Sequence, residues 1–252
     1  MSYGFLDIAV TPSVRAVQAK MGADRIWRDF KGHRDFDRFT DSEVAFIADR
    51  DSFYMATVSE TGWPYVQHRG GPRGFLKLVD DRTLAFADYR GNRQYISTGN
   101  LAADDRACLF LMDYPRRARL KIYVHVETLT LDADPALTEL VTVAGYKVKL
   151  ERIFRLRLEH FDWNCSQHIT PRFTEQQVSE AVQPLHERLA QLETENAELR
   201  ARSPITEIPD DYPTPPGCRL SRFKPQSRRS AWSAPGMSKD LPGRLLSRDG
   251  SG

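Results

Sequence analysis

The sequence predicts a mainly β protein, an antiparallel barrel that is closed or half-closed, with helices on its flanks and one long helix after it. Three observations carry that reading. From Asp51 onward, apolar runs of four to seven residues are separated by Gly, Pro and Asp pairs, the pattern of consecutive short strands. Helical periodicity is confined to short stretches around those runs, so the regular strand–helix alternation of a parallel sheet is missing. Residues 178–202 then carry an apolar heptad.

Each element has its own local cause. In residues 12–22, Val14, Val17 and Met21 recur at helical spacing, with Pro12 in the first turn and Gly22 at the end. Thr40 and Glu43 have the spacing of a capping box, and Val44, Phe46 and Ile47 supply the apolar face of the helix that follows. Strands follow in FYMATVSE, YVQHR, FLKLVDD and RTLAFAD, then in residues 106–113 and 118–131. A helix is expected from Asn92 to Ala102 with Asn92 as its N-cap, and another near 135–146. Residues 151–163 close the series, alternating apolar and basic side chains as a half-buried strand does.

The 252 residues divide unevenly. The last fifty hold eight of the fifteen prolines, at net charge +3, and only thirteen apolar or aromatic residues of the AVILMFWYC set. So little apolar surface does not offset the entropy of ordering the chain. The expected division is an N-terminal helical extension (1–40), a barrel (41–173), an amphipathic or coiled-coil helix (174–202) and a disordered Pro-rich tail (203–252). No stretch reaches the roughly 20 apolar residues of a membrane-spanning helix. The start, MSYGFLDIAVTP, lacks the basic-then-apolar order of a secretory signal. A net charge of +2 does not mark a nucleic-acid binder. Cys108, Cys165 and Cys218 are too few and too widely spaced for a disulfide framework.

The heptad places Val182, Leu189 and Asn196 at a positions and Val178, Leu185, Leu192 and Leu199 at d. Arg188 precedes Glu193, and Glu195 precedes Arg200, at the spacing of interhelical g–e′ pairs of opposite sign. A second copy of the helix and the chain's own barrel both qualify as the surface it covers. Pro184 weakens the first turn, so the expected seam starts near Leu185.

Candidate chemistry lies in the β region. Arg73, Lys77 and Arg93 stand near loop or strand ends, and a helix N-terminus beside Arg93 offers unpaired N–H groups to an anion. On spacing alone, scattered surface charge accounts for them as well as a phosphate cradle does. In HFDWNCSQHITPRF (160–173), Trp163, Asn164, Gln167 and His168 form an unusually polar segment after a strand. Cys165 and His168 have a metal-like spacing but lack a second ligand pair. His68 and Arg69 beside the GGP turn are catalytic or structural. No P-loop, G-x-S-x-G, H-E-x-x-H or G-x-G-x-x-G motif is present.

From about Phe53 to Glu127, FYMATVSETGWPYVQ, GFLKLVDDRTLAFADYRGNRQYISTGNLAADDRACLFLMDY and RLKIYVHVE resemble, in order, the pyridoxamine 5′-phosphate oxidase-like family of FMN-binding split barrels. The resemblance implies a six-stranded antiparallel split barrel, assembled as a homodimer with two FMN sites built from both chains. It assigns Lys77, Arg93 and Asn92 to the FMN phosphate, with Arg73 as a helper, since Pro72 stands where the family carries its usual arginine. It lays Phe75 and Leu76 along the flavin ring, Asp88 beside it and Arg119 at a polar contact, with Trp163, Gln167 and His168 closing the pocket. Val124 stands where glycine is common in the family. The arginine–histidine signature that grips pyridoxal phosphate is missing, so that vitamer is not the expected substrate. The implied function is a cytoplasmic FMN-dependent oxidoreductase of a small molecule, reduced by a nicotinamide or deazaflavin donor or reoxidised by oxygen. A flavin- or haem-binding module without turnover is the alternative. Neither nucleic acid nor membrane is an expected partner.

Overall fold

A computed structural model describes residues 4–28, 37–163 and 166–202. The chain divides into two compact units, residues 1–187 and 188–252. The sequence reading of 203–252 as a disordered tail lies outside the described residues, as do Asn164 and Cys165.

Local signals in the first residues give helices α1 (Phe5–Ala9), α2 (Pro12–Lys20), α3 (Asp24–Arg28) and α4 (Asp41–Ala48). The helices α1 and α3 have no counterpart in the sequence reading, because five residues are too few to display a period. In α4 the expected capping box is present, with Glu43 accepting from the Thr40 backbone N–H at 3.0 Å.

Seven strands follow, all joined to antiparallel neighbours: β1 (Ser52–Val58), β2 (Pro64–Gly70), β3 (Lys77–Asp80), β4 (Thr83–Tyr89), β5 (Arg106–Asp113), β6 (Ala118–Leu129) and β7 (Leu150–Trp163). Their order is β2-β1-β5-β6-β7-β4-β3. The mainly β class with flanking helices is therefore as expected, but the strands number seven rather than six. The sheet is open, with β2 at one edge and the short β3 at the other. Helix α5 (Ile96–Ala103) lies between β4 and β5, and α6 (Pro135–Val141) between β6 and β7.

Period-two burial along β5 shows why the sheet folds as it does. Ala107, Leu109 and Leu111 are buried, while Cys108, Phe110 and Met112 are half-exposed on the outer face. The inner face joins Phe53, Met55, Phe86, Leu120, Ile122, Phe154 and Phe161 in one core. Phe53 stacks on Phe75 at 5.6 Å and meets Phe86 edge-on at 5.3 Å. Val124 belongs to this core and is buried. On the other side of β4, Ala85 and Ala87 pack with Ile153 against Leu137 and Val141 of α6.

The GGPRG turn that leads into β3 requires its glycines. Gly74 has φ +76°, and a side chain on Gly71 would come within 3.0 Å of the Phe75 and Tyr89 rings. This turn delivers Phe75 and Leu76 into the core before β3 begins, so the strand starts at Lys77 and not at Phe75.

Arg50, largely buried at the end of α4, ties that helix to β5. It donates to Asp113 at 2.9 Å, to the Met112 carbonyl at 3.0 Å and to the Phe46 carbonyl at 3.2 Å. Burial raises the Asp113 carboxyl pKa, but the Arg116 backbone N–H and the charge of Arg50 outweigh it and hold the group below its ordinary value. Arg50→Ala is expected to cost about 3 kcal/mol in denaturant unfolding, because it removes the buried partner of Asp113 and leaves that carboxylate only the exposed Arg116. Since the folded pKa of Asp113 lies below the unfolded one, its stabilisation is complete above the unfolded pKa and is lost as pH falls through the folded value. Asp113→Asn should flatten that acid limb of a stability–pH profile.

Candidate functional site

Between the end of β4 and the start of α5 the chain runs through Arg90-Gly91-Asn92-Arg93-Gln94-Tyr95. Arg93 and Tyr95 both take left-handed backbone conformations, at φ 63° and 52°. Each costs of order 1 kcal/mol or more for a residue with a side chain, so neighbouring contacts must hold the loop in place. They do. The Tyr95 hydroxyl donates to Glu151 of β7 at 3.1 Å and accepts from Arg93 Nε at 3.4 Å. The Arg152 guanidinium lies 4.8 Å from the centre of the Tyr95 ring.

Helix α5 begins at Ile96 with Tyr95 as its N-cap and no side-chain cap. Asn92 is therefore not the N-cap, in contrast to the sequence reading. Its side chain instead accepts from the Gln94 backbone N–H at 3.1 Å, closing a turn that carries the chain toward the helix. The first N–H groups of α5 are left without a side-chain cap beside a basic loop. Ser97 Oγ donates to Gln67 of β2 at 2.8 Å, and buried Asn100 donates to Thr57 of β1 at 3.0 Å. These two bonds fix α5 to the opposite wing of the sheet.

Beneath the loop, Asp88 of β4 is buried and gripped from two sides. Arg69 Nη1 of β2 lies 2.6 Å from one oxygen, and Arg152 Nε of β7 lies 3.3 Å from the other. Burial pushes the Asp88 carboxyl pKa up against the pull of both guanidiniums, and burial pushes Arg69 down against the pull of Asp88. Arg69 also lies over the Phe154 and Phe86 rings, at 5.5 and 5.9 Å. A cleft of about 200 Å³ opens here, lined by Arg69, Asp88, Tyr89, Asn92, Arg93 and Ser97 among others. The buried Arg69 Nε and Tyr89 hydroxyl have no hydrogen-bond partner.

Of the residues assigned by the sequence, Asp88, Asn92 and Arg93 meet in this cleft. Lys77 stands opposite Ala85 in the β3–β4 register, so it shares the α6 side of β4 while Asp88 occupies the other face. Phe75 and Leu76 are buried in the core. Arg73 is exposed and paired with Asp49. Trp163 donates from its indole to Glu43 at 2.7 Å and packs edge-on against Phe46, which binds the end of β7 to α4.

Arg119 and His168 come together elsewhere, in a cleft of about 300 Å³ with Tyr54, Phe110, Met112 and Tyr114. Arg119 Nε is buried there without a partner, and His168 has φ 61°. Gln167 is exposed beside it in a turn. Among the described residues no cluster of three His, Cys, Asp or Glu side chains is placed to hold a metal ion. Sequence reasoning did not assign Arg69, Arg152, Tyr95 or Glu151 to the cleft. The one available signal is that Arg152 interrupts an otherwise apolar face of β7, a pattern shared with ordinary surface strands.

An open antiparallel barrel carrying a basic loop-to-helix cleft defines a split-barrel domain. Residues 39–157 match the family model described as pyridoxamine 5′-phosphate oxidase. No curated protein matches the chain. Solved structures similar to it include HupZ of Group A Streptococcus, at 15% identity over 54% of this chain and 100% of that one, TM-score 0.41. A putative pyridoxamine 5′-phosphate oxidase from Lactobacillus delbrueckii is 19% identical over 51% of this chain and 96% of that one, TM-score 0.39. An FMN-binding protein from Syntrophomonas wolfei is 13% identical over 61% and 95%, TM-score 0.38.

Asp88→Ala leaves two buried guanidiniums facing each other without their shared carboxylate. It is expected to lower unfolding free energy by about 3 kcal/mol, and Asp88→Asn by less, in urea titrations of both variants.

Proposed function

We propose that this chain is an FMN-dependent oxidoreductase that acts as a homodimer on a small-molecule substrate. The observation that carries the reading is the Gly91–Ser97 loop, where Arg93, a braced left-handed backbone and an uncapped helix N-terminus converge beside Arg69. That donor set suits a phosphate monoester, and the unpartnered Tyr89 hydroxyl and Arg69 Nε suit the polar edge of a planar ring. Asn92 and Arg93 would hold the phosphate, with Arg69 as the second cation of the cleft, whereas Lys77, which the family resemblance assigns, lies on the other face of β4. FMN, once bound, supplies hydride or electron transfer. The chain's own residues bind and orient it, and the Arg69–Asp88–Arg152 set fixes the charge beneath it.

The outer face of β1, β2 and β5 supports the homodimer. Tyr54 faces Phe110, Ala56 faces Val66 and Cys108, and Val58 and Val66 are exposed. An apolar stripe of this kind on a sheet face suits burial against a second copy, which is self-complementary about a two-fold axis. The cleft holding Arg119 and His168 lies on the same face, so a second copy would bring them toward its partner's site. No described helix is long and apolar enough to cross a membrane.

The purified protein is expected to be yellow, with flavin absorbance near ~450 nm that bleaches with NADH, NADPH or a reduced deazaflavin and returns in air. Colourless protein without affinity for added FMN overturns the proposal. Flavin that none of these donors reduces leaves a binding module. Arg93→Ala should weaken FMN binding about tenfold, the scale of one charge-assisted phosphate contact, while Lys77→Ala, on the other face of β4, should leave it unchanged. Unchanged affinity in Arg93→Ala would move the phosphate off this loop. Val66→Asp should convert the dimer to monomer in sedimentation without unfolding it, since Val66 is exposed in the single chain.

A further inference from the structure

Helix α7 (Glu175–Arg202) carries its heptad as an open apolar stripe. Leu185, Leu189, Leu192 and Leu199 are 66, 55, 45 and 63% exposed. The helix continues through Pro184, which sits at a c position and so points away from the stripe. A row of leucines at strict a/d spacing is the narrow seam of a coiled coil, not the broad face of a helix lying on a globular core.

We propose that α7 pairs in parallel, in register, with α7 of a second copy of this chain. The flanking charges fit that occupant. In a parallel pair Arg188 meets Glu193 of the partner subunit, and Glu195 meets Arg200 of the partner subunit, so the four contacts of the two-fold pair are all opposite in sign. Asn196 decides the orientation. In a parallel pair the two Asn196 amides face each other at one a layer and hydrogen-bond across the seam. The antiparallel alignment that matches Leu189 with the partner's Leu192 sets Asn196 against the partner's Leu185, and buries the amide beside hydrocarbon.

From Val182 to Leu199 the seam is too short to associate by itself. It therefore rests on the homodimer proposed above, which holds two helices at high effective concentration. In that setting α7 adds register and partner choice to an association made by the barrels.

Disulfide trapping in the full chain, with Cys108, Cys165 and Cys218 changed to Ser, tests the pairing. Leu199→Cys lies in the seam and Ala201→Cys on the outer face of the same helical turn. Dimeric protein is expected to cross-link quickly at Leu199→Cys and slowly at Ala201→Cys. Arg188→Glu should slow the Leu199→Cys reaction several-fold, and adding Glu193→Arg should restore it. A dimer in sedimentation with equal rates at the two positions overturns the helix pairing and leaves the homodimer standing. Leu199→Cys chains that cross-link to Val182→Cys chains in preference to themselves mark an antiparallel pair and overturn it as well. A monomer in sedimentation overturns both readings.

Discussion

The ion pair between Arg69 and Asp88 is the contact on which the geometry of the molecule turns. Arg69 belongs to β2, an edge of the sheet, while Asp88 belongs to β4, next to the opposite edge. No ladder of backbone hydrogen bonds pairs β2 directly with β3 or β4. These two wings of the sheet meet through side chains, with the guanidinium of Arg69 lying over Phe86 and Phe154 and reaching the carboxylate at the far side. The sheet curls because its apolar inner face must be buried on itself. The ion pair then sets where the two wings stop relative to each other. Buried charge of this kind contributes little net stability, but breaking it is costly, so it acts as a positional constraint.

The cleft is a consequence of that constraint. A fully closed barrel would have continued the ladder and left no gap. Here the split exposes the end of β4, and the loop beyond it is forced into two left-handed residues that Glu151 and Arg152 of β7 brace from below. Helix α5 spans the same gap, bonded to β2 through Ser97 and to β1 through Asn100. Strained backbone, an uncapped helix end and several cations thus share one small volume. Strain there is held by contacts on both wings, so the donors of the proposed phosphate site are already placed.

Much of the architecture was legible in the sequence because it rests on local patterns. Alternation marked β1, β2, β5, β6 and β7, the Thr40–Glu43 spacing marked α4, and the heptad marked α7. The site was legible only in part. Asp88, Asn92 and Arg93 lie within six residues of one another, so a short segment brings them together. The grip of Arg69 and Arg152 on Asp88 depends on how a sheet curls, and strand periodicity carries no information about curl. Asn92 illustrates the same limit at short range. Its residue type favours an N-cap, yet the left-handed turn at Arg93 moves the helix start three residues on and leaves Asn92 closing a turn. Phe75 and Leu76 have the sequence pattern of strand because apolar runs look alike, whereas the GGPRG turn sends both into the core.

The position of β7 in the sheet governs the order in which this molecule can form. It is the last strand made, and it alone joins β6 to β4, pairing Val126 and Leu84 with the same residue, Leu156. Until it is available, β1, β2, β5 and β6 can assemble as one wing, while the β3–β4 hairpin has no neighbour to receive it. The distant pairings of β4 must wait for a segment synthesised long afterwards, which makes closure a late and cooperative event. A chain cut short before Leu150 would therefore keep one folded wing and leave a detached hairpin whose apolar face has nowhere to go.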